Sequence, residues 1–117
     1  MSKVYDLEER TRKFSKDLIV LYKKIPKNVV TIPLIGQGIR SGTAIGANYL
    51  EANDALGKKD FIMRNKIARK EAKETMYWLY LLIEACPELK DEIEKLYNEC
   101  EELKNILSAI INNAEKS

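Results

Sequence analysis

Apolar side chains recur along this chain at alternating steps of three and four residues, in four separate stretches. The first, about residues 7–25, passes through Leu7, Thr11, Phe14, Leu18, Leu21 and Ile25. The second, about 34–56, passes through Ile35, Gly38, Gly42, Ile45, Tyr49, Ala52 and Leu56. The third, about 59–85, uses Phe61, Asn65, Ala68, Ala72, Thr75, Leu79 and Leu82. The fourth, about 87–114, uses Leu89, Ile93, Leu96, Cys100, Leu103, Leu107, Ile110 and Ala114. Such a seam is the mark of helices packed side by side at about +20°. Pro26 and Pro33 bracket the first join, Gly57 with Lys58 and Lys59 marks the second, and Cys86-Pro87 the third. Joins this short make neighbouring helices antiparallel, and nothing reads as a strand. The pattern predicts an all-α protein, a single domain over residues 1–117 built as an antiparallel up-down four-helix bundle. At ~1.5 Å per residue the third helix should reach roughly 40 Å, which makes the bundle long and narrow.

Two departures from a plain amphipathic pattern modify this picture. Gly38, Gly42 and Gly46 recur at every fourth position, and each costs ~1 kcal/mol relative to Ala inside a helix. A small-residue stripe lets two backbones approach, and Ala68 and Ala72 on the third helix are small enough to face it. No strand precedes these glycines and no Gly-Lys-Ser/Thr follows them, so they do not form a phosphate loop. The second departure is Met76–Ile83, which is apolar or aromatic around the whole helix. One core occupies only a stripe, so Met76, Tyr77, Trp78, Tyr80 and Ile83 are expected to form an interface between copies of the chain.

Composition narrows the chemistry. The 117 residues contain no histidine, which excludes imidazole bases, His-ligated zinc and the Glu-x-x-His iron sites of helical bundles. Neither a metal nor another cofactor is expected, and the chain does not read as an enzyme. Cys86 and Cys100 lack CxxC spacing and read as free thiols of a reducing, cytoplasmic setting. No apolar run approaches the ~20 residues of a membrane span, so no membrane partner is expected.

The net charge of +2 conceals an asymmetry: residues 1–73 carry 16 basic and 8 acidic side chains, residues 74–117 only 4 basic and 10 acidic. The halves could neutralise each other across the bundle, or the basic half could meet a polyanion. Lys66, Arg69, Lys70 and Lys73 share one helical face, extended by Arg64 and by Lys58 and Lys59. Lys23, Lys24 and Lys27 form a second basic cluster. No aromatic residue is interleaved within either run, so the expected contact is to phosphates rather than to stacked bases. Arg40, Ser41, Asn48, Glu51 and Glu74 are expected to form an internal polar network that fixes helix register.

Three passages of the chain carry a family resemblance. They are Ile39-Arg40-Ser41-Gly42 with Ile45-Gly46-Ala47-Asn48-Tyr49 and Glu51-Ala52, then Lys59-Asp60-Phe61-Ile62, then Ile67-Ala68 with Ala72 and Glu74. They resemble the bacterial four-helix-bundle family named for the intervening sequence of 23S rRNA. The accessory protein of diversity-generating retroelements, which binds nucleic acid and a reverse transcriptase, looks like a relative. The chain has Lys70-Glu71 where the family often shows Gly-Ser. The resemblance implies pentameric barrels. The expectation is therefore a non-enzymatic, homo-oligomeric bundle that binds RNA or DNA. The alternative is a scaffold or accessory subunit that docks a larger enzyme such as a reverse transcriptase.

Overall fold

The computed structural model describes residues 6–117. It contains α1 (Leu7–Lys24), α2 (Thr31–Asn53), α3 (Lys58–Ala85) and α4 (Lys90–Lys116), with a 3-10 turn at Pro87–Leu89. The described residues include no strand, and the bundle measures 47 × 29 × 19 Å. α3 packs extensively on α2 and on α4, while α1 closes the fourth side. The all-α, four-helix reading of the sequence holds.

α1 starts at Asp6, whose Oδ1 accepts from the Glu9 amide at 3.1 Å. Glu8 and Glu9 lie at its positive end, Lys23 and Lys24 at its negative end. All six stepped residues from Leu7 to Ile25 are buried. Lys27 closes the helix, its ammonium donating to the carbonyls of Tyr22 at 2.7 Å and Ile25 at 2.8 Å.

α2 differs from expectation at both ends. It begins at Thr31 rather than near residue 34, because Asn28 initiates it. The Asn28 Oδ1 accepts from the amides of Val30 and Thr31, both at 2.9 Å, and the Asn28 amide donates to Thr31 Oγ1 at 3.0 Å. The ladder opens with the Ile32 amide donating to the Asn28 carbonyl at 3.0 Å, so Pro33 omits only the next bond, to the carbonyl of the exposed Val29, and does not bracket the loop. At the other end Leu56 falls beyond the helix, in the join to α3, and is fully exposed. Pro87 likewise opens the 3-10 turn rather than the first turn of α4. In the last turns of α4 the seam drifts from Ile110 to the buried Ile111, as a straight helix does against a seven-residue repeat.

The glycine stripe faces α1, not Ala68 and Ala72. A Cβ at Gly38 would overlap the Tyr22 phenol, and one at Gly42 would overlap Leu18 Cδ1. At Gly46 it would stand 2.9 Å from Thr11 Oγ1. Ala72 serves the other seam, where its carbonyl accepts from Cys100 Sγ of α4 at 3.3 Å. Both cysteines are buried and unpaired.

On its opposite side α1 shares the core with α4 but approaches it less closely, and ion pairs bridge the rim. Arg10 grips Glu99 through Nε at 2.7 Å and Nη2 at 2.8 Å, and reaches Glu102 at 2.7 Å. The bonds to Glu99 hold the Arg10 proton even more firmly than usual. Lys24 binds both oxygens of Glu92 at 3.0 Å. A cleft of about 540 Å³, lined by Phe14, Val20 and Leu96 among others, runs between these pairs.

Candidate nucleic-acid interface

α3 places Lys66, Lys70 and Lys73 on one exposed stripe. Their environments differ. Lys66 pairs with Glu115 of α4 at 3.1 Å. Arg69, half-buried, turns aside to Ser108 Oγ at 3.3 Å. Arg64 stays near Asp60 at 3.8 Å, and Lys58 reaches the Ser117 carbonyl. Lys59, Lys70 and Lys73 are exposed and have no carboxylate within 4.0 Å among the described residues. In the second cluster Lys24 is paired with Glu92 and Lys27 caps α1, so Lys23 alone points outward without a partner among those residues. The charge asymmetry of the sequence is thus partly neutralised inside the bundle, by Arg10, Lys24 and Lys66 on the acidic α4.

Glu71 and Glu74, the carboxylates nearest to Lys70 and Lys73 in sequence, are engaged elsewhere. Arg40 crosses from α2 to take Glu74 Oε1 at 2.6 Å and lies 3.4 Å from Glu71 Oε1, a contact whose angle does not make a hydrogen bond. Beneath it, Ser41 Oγ and Thr75 Oγ1 lie 2.8 Å apart in the closed seam, and Thr75 donates onward to the Glu71 carbonyl at 2.8 Å. Arg40, Ser41 and Glu74 therefore meet in one polar network, together with Glu71 and Thr75. Asn48 and Glu51 do not join it. The Asn48 amide donates to the Ala44 carbonyl of its own helix at 2.9 Å, and Glu51 is exposed.

The stripe of Lys66, Lys70 and Lys73 continues, four and seven residues on, as Tyr77 and Tyr80. These two rings are 56% and 66% exposed. With Lys73 and Met76 they line a groove of about 370 Å³ that α4 completes with Tyr97 and Lys104. Aromatic and cationic groups are thus interleaved after all. The sequence conceals this because Tyr97 and Lys104 come from another helix, and because helical spacing joins the tyrosines to the lysines across a break in the basic run. Met76 and Ile83 pack against the core of their own chain, and Trp78 is half-buried, edge-on to Tyr77 with ring centroids 5.1 Å apart. α3 needs a wide apolar arc because it is flanked by helices on two sides. Of the segment expected to bind another copy, only Tyr77 and Tyr80 remain exposed. No group of three or more His, Cys, Asp or Glu side chains among the described residues could hold a metal ion.

The family model for the 23S rRNA-intervening sequence protein matches residues 3–109. The chain belongs to that family. A crystal structure from Bacteroides thetaiotaomicron, described as a protein of unknown function from the S23 ribosomal protein family, is similar over 90% of this chain and 97% of its own. Its sequence is 36% identical and its fold superposes with a TM-score of 0.80. No curated protein matches the chain.

Within this intervening-sequence protein, the Lys70-Glu71 pair falls at a junction. Lys70 belongs to the exposed stripe, while Glu71 is buried beside Arg40. The two neighbours thus serve different sides of α3, one toward solvent and one toward the α2 seam. No described helix is long and apolar enough to cross a membrane.

Proposed function

We propose that this member of the intervening-sequence family is a non-catalytic nucleic-acid-binding bundle that holds phosphates on the outer face of α3. One observation carries the reading: Arg40 draws Glu71 and Glu74 toward α2, leaving Lys70 and Lys73 side by side in solvent. Like charges on one helical face repel by a few tenths of a kcal/mol, so the arrangement favours an anion. Lys59 extends the same surface. Contact through ammonium groups binds phosphates with little regard to sequence.

Self-association completes the proposal. α2 carries only Arg40 and Glu51 as charges in 23 residues, and Ile32 and Leu50 are exposed on it. A second copy would cover this face, in rings of five on the resemblance noted above. A second reading, a scaffold that docks a larger protein, draws on Val29, 88% exposed, with Val30 and Ile32 beside it.

Salt titration separates the two. Phosphate binding weakens linearly in log salt, by ~0.9 per contact on duplex DNA, whereas apolar docking does not. Lys70→Gln with Lys73→Gln should leave stability unchanged, lower affinity for unrelated sequences alike and flatten that slope. Unchanged affinity and slope would remove α3 from the reading, and a sharp monomer mass by light scattering would remove the oligomer.

A further inference from the structure

The groove between α3 and α4 has a lining whose chemistry is specific. Three phenol rings, Tyr77, Tyr80 and Tyr97, and the Met76 side chain meet two ammonium groups, Lys73 and Lys104. No carboxylate lines it. Its volume of about 370 Å³ lies in the range of ordinary small-ligand sites. Unlike the rest of the α3 stripe, it offers flat apolar faces and positive charge within one concavity.

We infer that this groove seats the unpaired bases of a single-stranded polynucleotide, stacked on its tyrosines, with the flanking phosphates on Lys73 and Lys104. The inference rests on the nucleic-acid reading above and sharpens it from phosphate contact in general to a single strand. In a duplex the base faces are already stacked on each other, and a protein meets only base edges and phosphates. Exposed tyrosine faces gain nothing there. Against a flexible single strand each ring accepts any base, because every base has a π-face. Lys70, one turn before Lys73 on the same stripe, continues the positive track away from the groove. From Lys70 to Tyr80 the helix rises ~15 Å, so the track and the platform follow one line along α3. The same composition argues against a second copy as occupant, since it would have to bury Lys73 and Lys104 with no carboxylate supplied by the groove.

Trp78 supplies a reporter, since it is the one tryptophan in the chain and its ring lies edge-on to Tyr77. The experiment measures binding of oligouridylate, oligothymidylate and a DNA duplex by fluorescence anisotropy, with Trp78 emission followed in parallel. Both single strands should bind with similar affinity and change the Trp78 emission. Tyr77→Leu with Tyr80→Leu, at two exposed positions that leave the core untouched, should weaken both by about tenfold or more. Duplex binding should stay as it was. Tyr77→Phe with Tyr80→Phe, which keeps the π-faces, should bind single strands as the parent does. Single-strand affinity unmoved by the leucine pair, or a parent that binds only duplex, would overturn the groove assignment and leave phosphate binding by α3 standing. A parent that binds none of the three probes would overturn both.

Discussion

Adding one methyl group to each of three glycines of α2 tests how α1 is seated. Gly36 is exposed and an added Cβ meets nothing within 4 Å, so Gly36→Ala gains only helix propensity, up to ~1 kcal/mol. At Gly38 the same gain is opposed by the Tyr22 phenol, whose Cζ would lie 2.9 Å from the new carbon. Tyr22 is itself buried, so its ring has little room to retreat. At Gly42 the obstacle is the end of Leu18, a branched side chain that can rotate but does so inside a closed core. Overpacking of this kind costs ~1–3 kcal/mol, enough to cancel or exceed the propensity gain. Thermal unfolding followed by circular dichroism should therefore rank Gly36→Ala above the parent, and Gly42→Ala and Gly38→Ala below Gly36→Ala. With roughly 3–5 °C per kcal/mol for a chain of this size, the Gly36 and Gly38 variants should differ by about 3–15 °C. Equal midpoints for Gly36→Ala and Gly38→Ala would refute the placement of α1 on the glycine stripe.

Three further outcomes follow from the packing. Ser41→Ala and Thr75→Val should each cost ~1 kcal/mol, and their double-mutant cycle in urea should show a coupling of similar size, because one bond joins them across the α2–α3 seam. Independent effects would mean that the hydroxyls do not meet. Arg10→Met should cost ~1 kcal/mol at low ionic strength and less at high salt, since Arg10 and Glu99 keep 26% and 30% of their side-chain surface in water. Burial raises the Cys86 thiol to about 11 and the Cys100 thiol to about 12, above the ~8.5 of an unfolded thiol. Between those values the unfolded chain releases protons that the folded chain retains, so their contribution to stability is complete below ~8.5 and is lost as pH rises toward the folded values. The urea midpoint should fall more steeply with alkaline pH for the parent than for Cys100→Ala, and identical slopes would count against the buried thiol.

The helices were legible because period and burial agree along most of their length. Every stepped residue of the first stretch from Leu7 to Ile25 is buried, as are the stepped residues from Ile93 to Leu107 in α4. What the pattern obscured was punctuation and partnership. Pro33 reads as a stop, yet Asn28 and Thr31 bond reciprocally before it and carry the helix through. Leu56 continues the periodicity of α2 after the backbone has already left the helix. The glycine stripe gave the need for a close neighbour without naming which helix supplies it. The basic face was legible as residues but not as charge. Whether Lys66 or Lys70 is free depends on Glu115 and Arg40, both remote in sequence. The tyrosine groove was hidden for the same reason, since Tyr97 and Lys104 of its lining come from α4.

α1 is held unequally on its two flanks, and this sets the order in which the bundle comes apart. Toward α2 its contact is close, with Tyr22, Leu18 and Thr11 seated on the glycines, whereas toward α4 a cleft separates it from its neighbour between the Arg10 and Lys24 ion pairs. Partial opening follows the boundary with the least buried apolar contact. The α1–α4 seam therefore separates first, with α1 swinging on its α2 flank while the tightly packed α2–α3–α4 layer stays closed. Added salt makes that excursion more frequent by screening the two latches. Amide hydrogens of α1 should consequently exchange ahead of those in α3, by a margin that widens with ionic strength.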